Sequence, residues 1–202
     1  MFADALPLAQ KFADLLADEG VVRGLIGPRE TPRLWERHLL NCAVLGEAVP
    51  REVSVCDIGS GAGLPGLVLA IARPDLPITL VEPLLRRTAF LEEAVEALGL
   101  RNVEVLRGRA EELHGARVFD VVTSRAVAPL PRLARWSLPL VREAGWLIAM
   151  KGASAEAELA RARPVLTKLG AGTVEIQRFG VGLVDPPTTV IRVEATRAAR
   201  VG

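Results

Sequence analysis

A glycine-rich turn between an apolar strand and an apolar helix is the feature that most limits how this chain can fold. Residues 53–58 are typical of a buried strand, glycine follows at positions 59, 61, 63 and 66, and residues 67–72 are apolar again. Glycine lets the backbone turn tightly and approach a ligand closely. The segment predicts a strand, a turn and a helix beginning near Leu64, with a nucleoside ligand above the strand.

The same alternation of strands and helices continues along the chain. Apolar strands separated by helices indicate a mostly parallel sheet that is covered on both faces. Further strands of this kind are expected at 78–82, 103–106, 118–123 and 146–150. Helices are expected to begin near Leu85, Ala110 and Leu130 and to cover 156–169.

The end of the chain changes character. Residues 172–179 and 188–194 are typical of two strands, and the loop between them is too short for a crossover helix. We therefore expect these two strands to be antiparallel. The fold class is α/β, with a seven-stranded, mostly parallel sheet and an antiparallel last strand, as in the Rossmann-like class I methyltransferases.

The first fifty residues predict a helical extension. Apolar residues recur at helical spacing over residues 2–19, and Gly20 is expected to end that helix. Thr31 and Pro32 are typical of a cap and a first helical position, which predicts a second helix to about Gly46. We expect one domain over 1–202, made of the extension (1–50) and a Rossmann-like core (51–202).

Composition narrows the class of protein. The chain has 202 residues, of which 50% are hydrophobic and 24% charged, with a net charge of +1. No apolar run is long enough to cross a membrane, and Asp4 interrupts any export signal. Cys42 and Cys56 have no metal-like spacing. We expect a cytoplasmic monomer without a metal site or a membrane partner.

The basic residues are nearly all arginine, with lysine only at positions 11, 151 and 168. Two explanations of this bias are open. One is the codon usage of a GC-rich genome, and the other is that clusters of arginine contact phosphate groups. The net charge of the whole chain does not exclude a local basic face.

The glycine turn fits two kinds of ligand. Gly61 to Gly66 match the dinucleotide pattern G-x-G-x-x-G, but that match alone is weak. Asp57 discriminates, because a carboxylate near a pyrophosphate is repelled by about 4 kcal/mol at an effective dielectric of about 20. S-adenosylmethionine carries a sulfonium and an ammonium but no phosphate. The charge pattern therefore favours S-adenosylmethionine.

Two further positions favour an adenosyl ligand. Glu82 closes the second strand, where an acid can accept hydrogen bonds from both ribose hydroxyls. Ala110 and Glu111 follow the third strand, where a backbone N–H and a carboxylate can contact the adenine edge. The alternative is that Glu82 is a solvated strand end and that Glu111 only stabilises the first turn of a helix.

Several motifs together resemble one family. They are Trp35-Glu36-Arg37-His38, the run from Asp57 to Gly66, Arg86-Arg87-Thr88-Ala89-Phe90-Leu91, Arg109-Ala110-Glu111, Thr123-Ser124-Arg125-Ala126-Val127-Ala128 and Lys151-Gly152. Between about Pro32 and Lys151 the chain strongly resembles the RsmG (GidB) family, the ribosomal RNA small-subunit methyltransferases G.

The resemblance implies methylation of N7 of a guanosine in the decoding-region loop of 16S ribosomal RNA, in the small ribosomal subunit. It also implies a set of residues that line the S-adenosylmethionine site. These are Gly59, Leu64, Glu82, Pro83, Leu84, Ala110, Glu111 and Arg125; to them the charge and turn arguments add Asp57, Gly61 and Gly63.

Guanine N7 presents a lone pair, so its methylation needs no proton abstraction and positioning can supply most of the catalysis. We therefore expect no catalytic base or nucleophile. Arg125, after the fourth strand, is the candidate for orienting the guanosine or binding the cofactor. A purely structural ion pair is the alternative.

Candidate RNA-binding residues share a cationic side chain or an imidazole: Arg37, His38, Arg125, Arg132 and Lys151. The alternatives are that His38 packs inside the protein and that Lys151 and Arg132 are ordinary surface charges. Residues 185–188 resemble the loop of amino-methylating enzymes, but they lack its aromatic residue and are expected to form a hairpin turn.

Three other functions stay open at this point. An NAD-dependent oxidoreductase is opposed by Asp57 and by the antiparallel end of the sheet. A non-catalytic RNA-binding or regulatory protein is opposed by the presence of Asp57, Glu82 and Arg125. A small-molecule methyltransferase is not opposed, because the acceptor leaves no direct mark in the sequence.

Overall fold

The computed structural model describes residues 1–196. The predicted domain extends to residue 202, and its part from 197 to 202 lies outside the described residues. Within the described part, the chain forms a seven-stranded sheet in the order β3-β2-β1-β4-β5-β7-β6. The strands are β1 (Val55–Ile58), β2 (Ile78–Glu82), β3 (Val103–Arg107), β4 (Phe119–Arg125), β5 (Val141–Lys151), β6 (Ala171–Phe179) and β7 (Thr188–Ala195).

The direction of the strands confirms the predicted sheet. The pairs β1·β2, β1·β4, β2·β3 and β4·β5 are parallel. By contrast, β7 is antiparallel to both β5 and β6. The predicted mostly parallel α/β fold with an antiparallel last strand is therefore correct.

Six α-helices accompany the sheet in the described part. They are α1 (Leu6–Leu15), α2 (Leu40–Ala43), α3 (Gly66–Ala72), α4 (Leu85–Leu98), α5 (Leu130–Ser137) and α6 (Ala155–Lys168). The helix after the glycine turn begins at Gly66, two residues later than predicted. The helix predicted near Ala110 is only a short 3-10 turn, Ala110–Leu113.

The N-terminal extension is helical but irregular. The first helix does not end at Gly20, because a wider π-type turn, Leu16–Gly20, carries it to Val22. The predicted cap at Thr31 is wrong, since a 3-10 helix already begins at Pro28 and Pro32 lies inside it. The second segment continues through a π-type turn, Trp35–Leu39, into α2 and the 3-10 helix Val44–Ala48.

Strand residues alternate between two apolar layers. Val55 and Leu80 pack with the extension, α3 and α4 in one buried cluster, whereas Cys56 and Val81 pack with α5 and α6 in a second cluster on the opposite face. This alternation follows from the two-residue period of a strand. The sheet is therefore covered on both faces, and a ligand can reach it only at an edge.

The order of the strands reverses between β1 and β4, which are neighbours although β2 and β3 lie between them in sequence. Open α/β sheets bind ligands beyond the carboxyl ends of the strands at such a point. No helix in residues 1–196 is long and apolar enough to cross a membrane.

Candidate active site

The glycine turn leaves β1 at the point where the strand order reverses. Gly59, Gly61 and Gly63 have φ angles of +68°, +56° and +87°, and residues with a Cβ atom rarely adopt such positive φ angles. At Gly66 a larger side chain is excluded by lack of space, because an added Cβ atom would clash with Leu80 and with Asp57 Oδ2. The turn therefore depends on glycine for both its backbone conformation and its packing.

Glu82, at the end of β2, holds the turn from the side. Its side chain is buried, Oε2 accepts a hydrogen bond from Gly61 N–H at 3.0 Å, and Oε1 accepts one from Leu84 N–H at 3.0 Å. Arg87 Nη1 lies 3.8 Å from Oε2. Since a carboxylate can accept about four hydrogen bonds, Glu82 keeps acceptor capacity after bonding two backbone groups.

Asp57 lies beneath the turn and is fully buried. Its Oδ2 atom accepts a hydrogen bond from Gly66 N–H at 3.0 Å, whereas Oδ1 has no hydrogen-bond partner within residues 1–196. Burial raises the pKa of Asp57 to about 7. The charge argument from the sequence needs correction, because it assumed an accessible, permanently ionised carboxylate.

A cavity of about 500 Å³ lies at the carboxyl ends of β2 and β3. Its walls include the predicted residues Pro83 and Leu84. They also include four residues outside the predicted set: Arg107, Gly108, Arg109 and Glu112. Ala110 is buried and Glu111 is exposed, and neither is among the described residues of the wall.

The segment after β4 covers the glycine turn. Val127 packs so closely on Gly59 that a Cβ atom added there would lie 2.6 Å from Val127 Cγ2. The preceding residue, Ala126, has a φ angle of +56°, a conformation that alanine rarely adopts. Leu64 is half-buried and packs against the apolar cluster that contains α3.

Arg125 binds the N-terminal extension. Its Nη2 atom lies 2.6 Å from His38 Nδ1 and 3.4 Å from the Arg37 carbonyl, and Nη1 lies 3.4 Å from Cys42 Sγ. His38 Nε2 in turn lies 3.0 Å from Glu30 Oε2. Burial and the Arg125 charge lower the pKa of His38, so Nδ1 of the neutral ring accepts from Arg125 while Nε2–H donates to Glu30.

These contacts place His38 inside the protein rather than on an RNA-facing surface. His38 has a side-chain exposure of only 12%, and both of its nitrogens are engaged inside the protein. We had expected it to approach RNA, and its position favours the packing alternative instead. Glu30 is a site residue that the sequence did not indicate, because it reaches His38 only through the irregular turns of the extension.

A larger cavity, of about 1080 Å³, opens beyond β4, β5 and the start of β7. Arg37, Arg125 and Lys151 line it, as do two arginines that we had not predicted, Arg161 and Arg178. Its apolar wall consists largely of alanine and proline, namely Ala126, Ala128, Pro129, Pro131, Ala153, Pro186 and Pro187, together with Val127 and Met150.

Lys151 has only 10% of its side chain exposed. Nζ donates to the Ala128 carbonyl at 3.0 Å and to Glu158 Oε1 at 2.8 Å. The same Glu158 oxygen accepts Leu130 N–H. Lys151 therefore fastens the segment that carries Val127, which disagrees with the alternative of an ordinary surface charge; its RNA-binding role stays a prediction.

Arg132 stacks on Trp136, with its guanidinium carbon 4.6 Å from the ring centroid, and is not among the described residues that line the larger cavity. Arg37 is half exposed and pairs with Glu30 at 3.2 Å. Of the predicted RNA-binding residues, Arg37 and Arg125 thus keep donors close to the larger cavity. Within residues 1–196 no group of three or more metal-binding side chains occurs.

Comparison with known proteins gives a consistent result. A family model described as rRNA small subunit methyltransferase G (GidB) matches residues 5–183. The chain is 60% identical over 202 residues to the Ribosomal RNA small subunit methyltransferase G of Thermobifida fusca, covering 100% of this chain and 85% of that protein. It is 63% identical over 191 residues to the protein of that name from a Nocardioides species, covering 95% of this chain and 76% of that protein.

Two solved methyltransferase structures have a similar fold. Precorrin-6y C5,15-methyltransferase from Geobacter metallireducens has a TM-score of 0.57 at 15% identity, covering 85% of this chain and 91% of that one. An O-methyltransferase family protein from Burkholderia thailandensis has a TM-score of 0.60 at 14% identity, covering 93% and 59%. At these identities the likeness shows the fold alone.

Proposed function

Because the chain belongs to the rRNA small subunit methyltransferase G family, we propose that it methylates N7 of a guanosine in 16S ribosomal RNA with S-adenosylmethionine as the methyl donor. A ribosomal substrate implies a cytoplasmic reaction, and we propose that a single chain carries it out on the rRNA or the small subunit.

The observation that carries the proposal is the pair of cavities at the carboxyl edge of the sheet. One lies beyond β2 and β3, the other beyond β4, β5 and β7, and the glycine turn of β1 lies between them in the strand order. A methyl donor on the turn would lie between both cavities. This supports a two-substrate transfer reaction rather than binding of a single ligand.

The residues around the turn suit S-adenosylmethionine. The free acceptor capacity of Glu82 fits ribose hydroxyls, and Pro83 and Leu84 offer an apolar surface for adenine. Asp57, fully buried beneath the turn, supports the start of the following helix by accepting Gly66 N–H. Bound S-adenosylmethionine supplies an electrophilic methyl group, which an aromatic nitrogen lone pair can attack.

For the rest of the cofactor site, we propose that Gly59, Gly61, Gly63 and Leu64 form the surface of the turn. The cavity supports adding Arg109 and Glu112 to Ala110 and Glu111 at the adenine edge. Val127 lies over Gly59 and covers part of that surface.

We assign Arg125 the task of orienting the guanosine. A guanidinium has five N–H donors, and the contacts to Cys42, Arg37 and His38 leave some of them for the cavity. N7 needs no deprotonation, so a fixed donor that holds an oxygen of the guanosine contributes by positioning. No acid–base residue enters this mechanism.

The test uses the full-length protein, labelled S-adenosylmethionine and small subunits from cells that lack this modification. We expect label in 16S rRNA, at one guanosine that becomes sensitive to cleavage at N7-methylguanosine, and no label in fully modified subunits. Arg125→Ala should lose activity, whereas Arg101→Ala, at an exposed loop arginine far from the site, should not. Label on another atom, or none, would contradict the proposal.

A cofactor test separates the rival functions. S-adenosylhomocysteine should raise the melting temperature of the protein, and NAD should leave it unchanged, because only a ligand that binds the native state stabilises it. Stabilisation by NAD alone would support the oxidoreductase. Stabilisation by S-adenosylhomocysteine without transfer to RNA would support the small-molecule or non-catalytic alternatives.

A further inference from the structure

The larger cavity concentrates positive charge from distant parts of the chain. Five cationic side chains line it among the described residues: Arg37 from the extension, Arg125 and Lys151 from strand ends, Arg161 from α6 and Arg178 from β6. We call this surface the arginine groove. Glu158, which pairs with Lys151, is the one carboxylate among the described lining residues, and Glu30 pairs with Arg37 from outside the lining. Among the described residues this leaves Arg125, Arg161 and Arg178 without a carboxylate partner, a local excess of three positive charges where the whole chain carries +1.

The carboxylate in the groove does not neutralise the arginines. Glu158 Oε1 already accepts hydrogen bonds from Lys151 and from Leu130 N–H. Arg161 donates only to the carbonyl of Ala157 in its own helix, and Arg178 forms no side-chain ion pair with a described residue. Both arginines are exposed. They are therefore free to bind an anion from solution.

The chemistry of the walls favours phosphate over base recognition. None of the described lining residues is aromatic, and the apolar part consists of alanine, valine, proline and methionine side chains. Single-strand binding proteins usually hold bases by stacking on aromatic rings. Without such rings, binding energy must come mainly from charge, and arginine binds phosphate oxygens in a bidentate way.

We propose that the arginine groove binds the phosphodiester backbone of a single-stranded RNA segment that flanks the target guanosine, and that Arg161 and Arg178 each contact a phosphate. This inference rests on the proposed function, because only an RNA substrate provides a phosphodiester chain on either side of the target guanosine. It assigns RNA contacts to the C-terminal half of the chain, on α6 and β6. The groove extends from the Arg125 end of β4, so the bound strand runs away from the site of transfer.

The experiment measures RNA affinity against salt. The probe is a fluorescein-labelled single-stranded RNA of about ten nucleotides with a central guanosine, titrated with full-length protein at several KCl concentrations. For single strands, the logarithm of the binding constant falls with the logarithm of salt concentration by about 0.7 for each phosphate contacted. We expect Arg161→Gln and Arg178→Gln each to reduce that slope by about 0.7, and the double variant by about 1.4.

Arg163→Gln is the matched control, because Arg163 is an exposed arginine on the same helix that is absent from the described groove wall. It should keep the wild-type slope, and all variants should keep the wild-type affinity for S-adenosylhomocysteine. Guanosine monophosphate at the concentration of the RNA should not compete, because it offers one phosphate where the groove holds several.

Three results would overturn the inference: unchanged slopes for Arg161→Gln and Arg178→Gln, an equal change for Arg163→Gln, or effective competition by guanosine monophosphate. Failure of the proposed function looks different. In that case the wild-type protein binds RNA with the expected slopes but transfers no methyl group to rRNA. Methyl transfer with unchanged slopes would remove the groove assignment alone.

Discussion

Replacing Glu82 with glutamine should loosen the glycine turn without changing the size of the side chain. In the native protein one carboxylate accepts hydrogen bonds from Gly61 N–H and Leu84 N–H, both at 3.0 Å, in a buried position. A glutamine side chain has one acceptor oxygen, so its amide NH₂ group must face one of these N–H groups. One bond is then lost, and the other no longer involves a charge.

The expected loss of stability follows from these two bonds. A buried donor left without a partner costs about 1–3 kcal/mol, and a hydrogen bond to a charged group is worth about 1 kcal/mol more than a neutral one. The free energy of unfolding should fall by about 3 kcal/mol. For a domain of this size, that lowers the melting temperature by roughly 6–12 °C.

Thermal unfolding of Glu82→Gln should be compared with that of Glu104→Gln, on the adjacent strand β3. Glu104 is about half exposed and pairs with Arg117 at the surface, so its replacement should cost at most about 1 kcal/mol. Calorimetric titration with S-adenosylhomocysteine should show at least a tenfold loss of affinity for Glu82→Gln only. Equal melting temperatures for the two variants would refute the structural role of Glu82, and unchanged affinity would refute its role in binding.

Three further predictions follow from buried polar groups. Burial raises the pKa of Asp57 to about 7, so the folded state is favoured with Asp57 protonated, and the free energy of unfolding should fall as the pH rises from about 4 through about 7. Asp57→Asn keeps an acceptor for Gly66 N–H but does not titrate, so chemical unfolding of this variant should show a flatter pH profile. A profile equal to that of the wild type would contradict this assignment. His38→Asn keeps an acceptor near the position of Nδ1 and should retain the rRNA methylation rate. His38→Ala should reduce that rate at least tenfold and leave the affinity for S-adenosylhomocysteine unchanged. Equal reductions in the two variants would show that His38 does not position Arg125. Lys151→Met leaves Glu158 without its cation and should lower the free energy of unfolding by about 3 kcal/mol. Urea unfolding measures this loss, and Lys168→Met, the control variant, should not show it.

The sheet could be predicted because its signals are local. Strand β2 has the predicted bounds, since an apolar run flanked by proline and polar residues leaves no other interpretation. Strand β5 is longer than predicted, because residues 142–145 are polar or small and interrupt the apolar pattern. They lie in an irregular stretch of the β4·β5 pair, where the register jumps from Phe119 opposite Val141 to Val121 opposite Trp146, and pairing on either side of them keeps the strand continuous. Such pairing depends on a partner distant in sequence.

The position of the candidate residues in the fold was predictable, but the details of their contacts were not. The glycine turn and Glu82 lie at the predicted edge because their spacing fixes the strand and turn. That Asp57 faces inward depends on α3 packing over it, and that His38 faces Arg125 depends on contacts 87 residues apart in sequence. A charged residue type indicates a candidate site, but burial decides whether its charge is available to a ligand.

The N-terminal extension is part of the site rather than an addition to the methyltransferase core. Two of the contacts that its second segment makes with the core lie near the candidate site: His38 and the Arg37 carbonyl bind Arg125 at the end of β4, and Thr188 Oγ1, at the start of β7, lies 2.8 Å from Asn41 Oδ1. Both contacts border the arginine groove, which Arg37 and Asn41 line directly. The hydrogen bonds of the glycine turn and of Glu82 lie within residues 57–84 and do not involve the extension. The extension instead supplies one wall of the groove and the groups that fix Arg125, and we therefore propose that it serves the acceptor side of the reaction.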